Sequence, residues 1–126
     1  MTNRRIKIKI GTSYDFADLV FSGSEIIFKY DNYSIKAEGD YPFMVLKKLR
    51  QELEEKGIIL IINGSRKDVY PSGLSLVGDN AYVQTMGKAT SLEDLVNIFE
   101  EADKTELLGT VDEQSKYHED WIKSLK

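Results

Sequence analysis

The chain contains no cysteine. Disulfides, thiolate nucleophiles and Cys-ligated zinc or iron–sulfur centres are therefore excluded. Its single histidine, His118, removes any His-rich metal site within one chain. No Glu-x-x-His, His-x-x-x-His or EF-hand spacing occurs, so no metal site is expected. The longest apolar run, Ile58 to Ile62, falls far short of the ~18 residues that a membrane helix needs. No repeat, low-complexity tract or Pro/Gly-rich linker divides the chain, which predicts one domain over 1–126.

What is present suits an ordered globular protein. Of 126 residues, 41% are hydrophobic and 30% charged, which argues against general disorder. A chain of this length buries enough surface to fold without a metal or cross-link. Near the start, Ile6, Ile8 and Ile10 alternate with Lys7 and Lys9. That is a strand pattern and not a signal peptide, so a cytoplasmic location is expected.

Charge is divided unevenly. Residues 1–90 carry 13 Lys+Arg and 11 Asp+Glu, a net of +2, whereas residues 91–126 carry 4 and 10, a net of −6. An acidic C-terminal third disfavours nonspecific nucleic-acid binding, which needs a clustered basic surface. It suits a cationic protein partner, or else the solvated faces of two amphipathic helices.

Periodicity predicts an α+β fold in the order ββββ-α-β-β-α-α. Strands are expected at Arg4–Ile10, Phe16–Phe21, Glu25–Tyr30 and Tyr33–Glu38, with Asp31-Asn32 as a hairpin turn. Their short links require an antiparallel meander. Val45, Leu46, Leu49 and Leu53 then form a helical stripe, with Pro42 near its start and Lys56-Gly57 at its end. Lys47, Lys48, Arg50, Gln51, Glu54 and Glu55 take the opposite face. The β-branched run at 58–62 reads as a central strand buried on both faces. A loop from Asn63 to Asn80 leads to a strand at Ala81–Met86. Thr90-Ser91-Leu92-Glu93 reads as a capping box opening a helix with Leu92, Leu95, Val96 and Phe99 inward. A last helix from about Asp112 carries Tyr117, Trp121 and Leu125. The mainly antiparallel sheet would thus hold about three helices on one face.

Two groups of residues are candidate sites. The segment from Asn63 to Gly73 leaves the strand at 58–62 and carries Arg66, Lys67, Asp68 and Tyr70 between two turn signals. Arg66 and Lys67 could hold a phosphate or carboxylate. Equally, Arg66 and Asp68 could pair with each other while Tyr70 caps the core edge. The spacing is not a Walker loop, and no Gly-x-Ser-x-Gly elbow exists. The second group is a partner-binding surface of Glu100, Glu101, Asp103 and Glu106 with exposed aromatics such as Trp121. For Trp121 the alternative is packing of the last helix onto the sheet. His118 reads as a polar-face residue: a triad would need Ser65 or Ser72 to meet it with an oriented carboxylate, and no elbow motif marks either serine.

The run Asn63-Gly64-Ser65-Arg66-Lys67-Asp68-Val69-Tyr70-Pro71-Ser72-Gly73, with Tyr82, Gln114 and Trp121, resembles a family of small uncharacterised bacterial proteins. Some of these sit beside secreted polymorphic toxins, as immunity proteins do. The resemblance covers about the last two-thirds of the chain and carries over no catalytic residue. It implies a non-enzymatic protein that binds one toxin and occludes its active site, without a cofactor. Two other readings stay open: a small-molecule or anion-binding protein or enzyme using the 63–73 loop, and an accessory structural subunit.

Overall fold

The alternating N-terminal segments form the expected meander. The computed structural model describes residues 1–73 and 78–126, with β1 at Thr2–Ile10, β2 at Ser13–Phe21, β3 at Glu25–Tyr30 and β4 at Tyr33–Glu38. Each pairs antiparallel with the next. Asp31 adopts φ 55° in the predicted two-residue turn, the left-handed conformation a tight hairpin needs. β1 and β2 extend past their predicted limits, because the ladder runs unbroken from Thr2↔Phe21 to Ile10↔Ser13 whatever the polarity of Ser13–Asp15.

The register puts Ile6, Ile8, Ala17, Leu19, Phe21, Ile26 and Phe28 on one buried face. Across it lies α1, Pro42–Glu55, with Val45, Leu46, Leu49 and Leu53 turned inward as the stripe predicts. Gly57 follows at φ 74°, the left-handed residue that ends the helix.

Three expectations need correction. First, the 58–62 run is not a central strand. β5 covers Ile58–Leu60 and pairs only with β1, at the edge of the order β4-β3-β2-β1-β5. Its residues are nevertheless buried, apart from half-buried Ile59. α1 covers one face, and the chain near 98–102 pairs with the residues that follow β5: Ala102 N donates to Ile61 O, and Ile62 bridges to Glu101. An apolar run reports burial, which packing supplies to an edge strand as well as to a central one.

Second, no helix runs from Leu92 to Phe99. Leu92–Asp94 is a single 3-10 turn, closed by Ser91 and Asp94 rather than Thr90 and Glu93. The chain then straightens into β8, Leu95–Asn97, which pairs with β7, Asn80–Val83. Leu92 is 81% exposed and Leu95 also faces solvent, whereas Val96 is half-buried and Phe99 is in the core, so the four do not share one inward face. Strand pairing outweighs local helical preference here. β7 is also shorter than the predicted Ala81–Met86. β6, Val69–Tyr70, completes a second antiparallel sheet of order β6-β7-β8 and is too short to announce itself by alternation. Residues 74–77 of the predicted loop lie outside the described residues.

Third, two α-helices are present among the described residues, and they do not share one face of the meander. α2, Val111–Ser124, begins at a Thr110–Glu113 capping box and packs on α1 and β6. The α+β class stands, with order ββββ-α-ββββ-α. Both sheets feed one core: Val69, Ala81, Ile98 and Phe99 join it, and Phe99 stacks on Phe21 with centroids 3.8 Å apart. Among the described residues, no helix is long and apolar enough to cross a membrane.

Candidate functional site

The segment after β5 folds inward. Asn63–Ser65 forms a buried 3-10 turn. Gly64 N donates to Ile98 O (2.9 Å), and the residue lies so close to Leu46 that a Cβ would overlap Leu46 Cδ2. Arg66 and Asp68 then form a bidentate pair, Nε to Oδ1 at 2.9 Å and Nη2 to Oδ2 at 2.7 Å, with both residues buried. The two candidate ligand-binding charges thus engage each other. Lys67 is half-buried and lines a shallow groove with Asp112, Glu113 and Lys116 of α2. Tyr70 is packed between Phe43, at 5.3 Å, and His118, at 3.8 Å and nearly parallel.

Two residues outside the predicted site organise this segment. Arg50 of α1 is 4% exposed. Its Nη1 donates to Gly64 O (3.0 Å) and Gln114 Oε1 (2.7 Å), and its Nη2 to Gly109 O (2.8 Å). Burial pulls its pKa down to about 10, which leaves it charged at neutral pH. Gln114 of α2 completes the network: its Nε2 donates to Gly64 O, Arg66 O and Val69 O at 2.8–3.0 Å. Glu54 Oε2 stands 4.0 Å from Arg50 Nη2 and accepts from Val111 N, the first helical N–H of α2. Arg50 was assignable to the wet face of α1 by its charge. Its position four residues after Leu46 and beside Leu49, at the edge of the apolar stripe, is the signal that points inward.

Trp121 is half-buried, and its Nε1 donates to Lys88 O (3.0 Å). Tyr117 donates to Gln84 O (3.0 Å), so the aromatics of α2 dock on the end of the second sheet and the turn after it, not on the meander. His118 lies between Tyr70 and Trp121, with Nδ1 3.0 Å from Gln84 Nε2. Burial lowers its pKa below 6.5, against a weaker opposing pull from Glu119. The fold therefore favours the neutral ring. That stabilisation is complete above about pH 6.5 and is lost as pH falls through the lower folded pKa. His118→Gln should remove this component: urea midpoints of wild type and variant will differ less at about pH 5 than at about pH 7.5. An identical pH response in the two proteins would show that the ring titrates freely.

The acidic candidates stand apart from this network. Glu100, Glu101, Asp103 and Glu106 are all exposed. Their backbone is tied to the β5 segment: Asn63 N donates to Glu100 O (2.8 Å), and Ala102 N to Ile61 O (3.3 Å). None of the four forms an ion pair with a described residue. Glu106 also lines a cleft of about 270 Å³ with Lys9, Tyr14, Ile59, Ile61 and Leu108. Tyr14 there is 56% exposed. Among the described residues, no cluster of three or more His, Asp or Glu is placed to hold a metal ion. Comparison of the chain with protein-family models and with curated sequences gave no match.

Proposed function

We propose that the protein is a non-enzymatic binding protein that covers a cationic site on a protein partner, as an immunity protein does to its toxin. The observation that carries this reading is the exposed acidic segment on a backbone hydrogen-bonded to Ile61 and Asn63, just after β5. Four carboxylates without a described ion-pair partner raise the rate of encounter with a basic surface. A backbone already ordered by hydrogen bonds loses little freedom on association. Tyr14, beside Glu106 in the cleft, supplies an aromatic anchor of the kind that concentrates binding energy. The 63–73 loop offers less to a ligand, because Arg66 and Asp68 engage each other and Tyr70 is stacked.

The test is binding to the product of the adjacent gene, measured by biolayer interferometry over a salt series. Reversal of Glu100, Glu101, Asp103 and Glu106 to lysine should weaken binding by about 100-fold, chiefly through the association rate, and flatten its salt dependence. Tyr14→Ala should speed dissociation by about tenfold. Binding that survives the four reversals with unchanged salt dependence would refute the reading.

A further inference from the structure

A second, smaller cavity of about 160 Å³ lies beside β5. It is lined by Arg50, Glu54, Ile58, Leu60, Ser65 and Thr110, among others. A space of this size holds about six non-hydrogen atoms, the size of benzene.

Its polar groups are unusual in what they leave unmet. Ser65 is 1% exposed, and its Oγ has no hydrogen-bond partner among the described residues. Buried hydroxyls are normally paired, so an orphan in a cavity wall marks a place for a ligand atom. The Arg50 guanidinium carries five N–H groups. Three are engaged by Gly64 O, Gln114 Oε1 and Gly109 O; Nε–H and one Nη2 hydrogen have no acceptor among the described residues. Glu54, 4.0 Å away, is the more exposed of the two charged residues. The cavity wall is therefore a fixed dipole, with a cation and free donors inside, a carboxylate nearer solvent, and isoleucine and leucine alongside.

We infer that this cavity binds a small zwitterion, an α-amino acid of about alanine's size. Its carboxylate faces Arg50 and Ser65, its ammonium faces Glu54, and its methyl group lies against Ile58 and Leu60. A simple anion would answer Arg50 but meet the like charge of Glu54. A simple cation would do the reverse. An uncharged apolar molecule would fill the volume and leave the donors unpaired. Only the zwitterion satisfies both ends, and the cavity volume excludes long side chains. This site goes beyond the partner-binding reading and does not depend on it.

The experiment is a titration of the ¹⁵N-labelled protein with alanine, followed by amide shifts, with propionate and ethylamine as its two halves. Alanine should give saturable shifts at Gly57, Ser65, Gly109 and Thr110, with a Kd of about 1 mM or tighter. Each half should bind at least about tenfold more weakly. Ser65→Ala should weaken alanine by about tenfold while leaving the urea midpoint unchanged or raised, since no protein hydrogen bond is lost. Glu54→Gln keeps an acceptor for Val111 N and should invert the preference, with propionate now bound more tightly than alanine. Three results would each overturn the inference: no saturable shift with alanine up to about 50 mM; propionate binding as tightly as alanine in the wild type; or both variants binding alanine as the wild type does.

Discussion

Gln114→Ala is expected to lower the stability of the fold by about 4 kcal/mol. The side chain is 1% exposed and its amide nitrogen serves three carbonyls, of Gly64, Arg66 and Val69. Its removal leaves Arg66 O and Val69 O without that donor, and deprives Arg50 of its only side-chain hydrogen-bond acceptor among the described residues. Each unmet buried polar group costs about 1–3 kcal/mol, and a buried charge that loses a partner costs more than a neutral group does. Against a typical total of about 5–15 kcal/mol, this brings the protein near its unfolding threshold. Gln114→Glu separates charge from donor capacity. It keeps the shape and the acceptor for Arg50, yet presents a carboxylate oxygen to three carbonyl oxygens. It should also be strongly destabilised at neutral pH. Chemical denaturation checks both variants, and a urea midpoint for Gln114→Glu equal to wild type would show that Arg50 alone matters.

Gly64→Ala is the second change with a large expected effect, about 3 kcal/mol. The reason is space, since Gly64 is not among the positive-φ glycines. A Cβ here meets Leu46 Cδ2, and lies 3.1 Å from Ile98 O and 3.2 Å from Ile98 Cβ. Leu46 and Ile98 are themselves fully buried, so the overlap is relieved only by turning the packed Leu46 side chain or by shifting α1 or the turn that follows β8. Overpacking at a contact that joins α1 to the second sheet should also loosen the Arg50–Gln114 network, because Gly64 O is part of it. Gly23→Ala, with nothing within 4 Å of the added carbon, is the control and should change stability by less than about 0.5 kcal/mol. Equal thermal midpoints for Gly64→Ala and Gly23→Ala would contradict the close approach.

The two perturbations meet at one place, the junction where α1, the 63–66 turn and α2 are held by Arg50 and Gln114. The sequence pointed to this neighbourhood without revealing its logic. Asn63–Gly73 stood out for its turn residues and charges, and the alternative in which Arg66 and Asp68 pair is the arrangement found. Arg50 did not stand out, because a cation on a helix is usually solvated, and Gln114 stood out only through the resemblance, with no partner assigned to it. Their burial follows from partners 14 and 64 residues away in the case of Arg50, and no local window contains those. The acidic group was legible as charge. That its backbone is hydrogen-bonded to Ile61 and Asn63, just after β5, was not.

The meander, α1 and α2 were written locally: alternation of period two, a stripe of period 3.6, Pro42 at one end and Gly57 at the other need no distant residue to be read. Edge against centre for Ile58–Ile62, strand against helix for Leu95–Asn97, and paired against free for Arg66 and Asp68 were decided only when the chain closed on itself. In each case the deciding term was a contact between residues far apart in sequence. Hydrophobic pattern specifies how much of a segment is hidden, but what hides it is a property of the assembled fold.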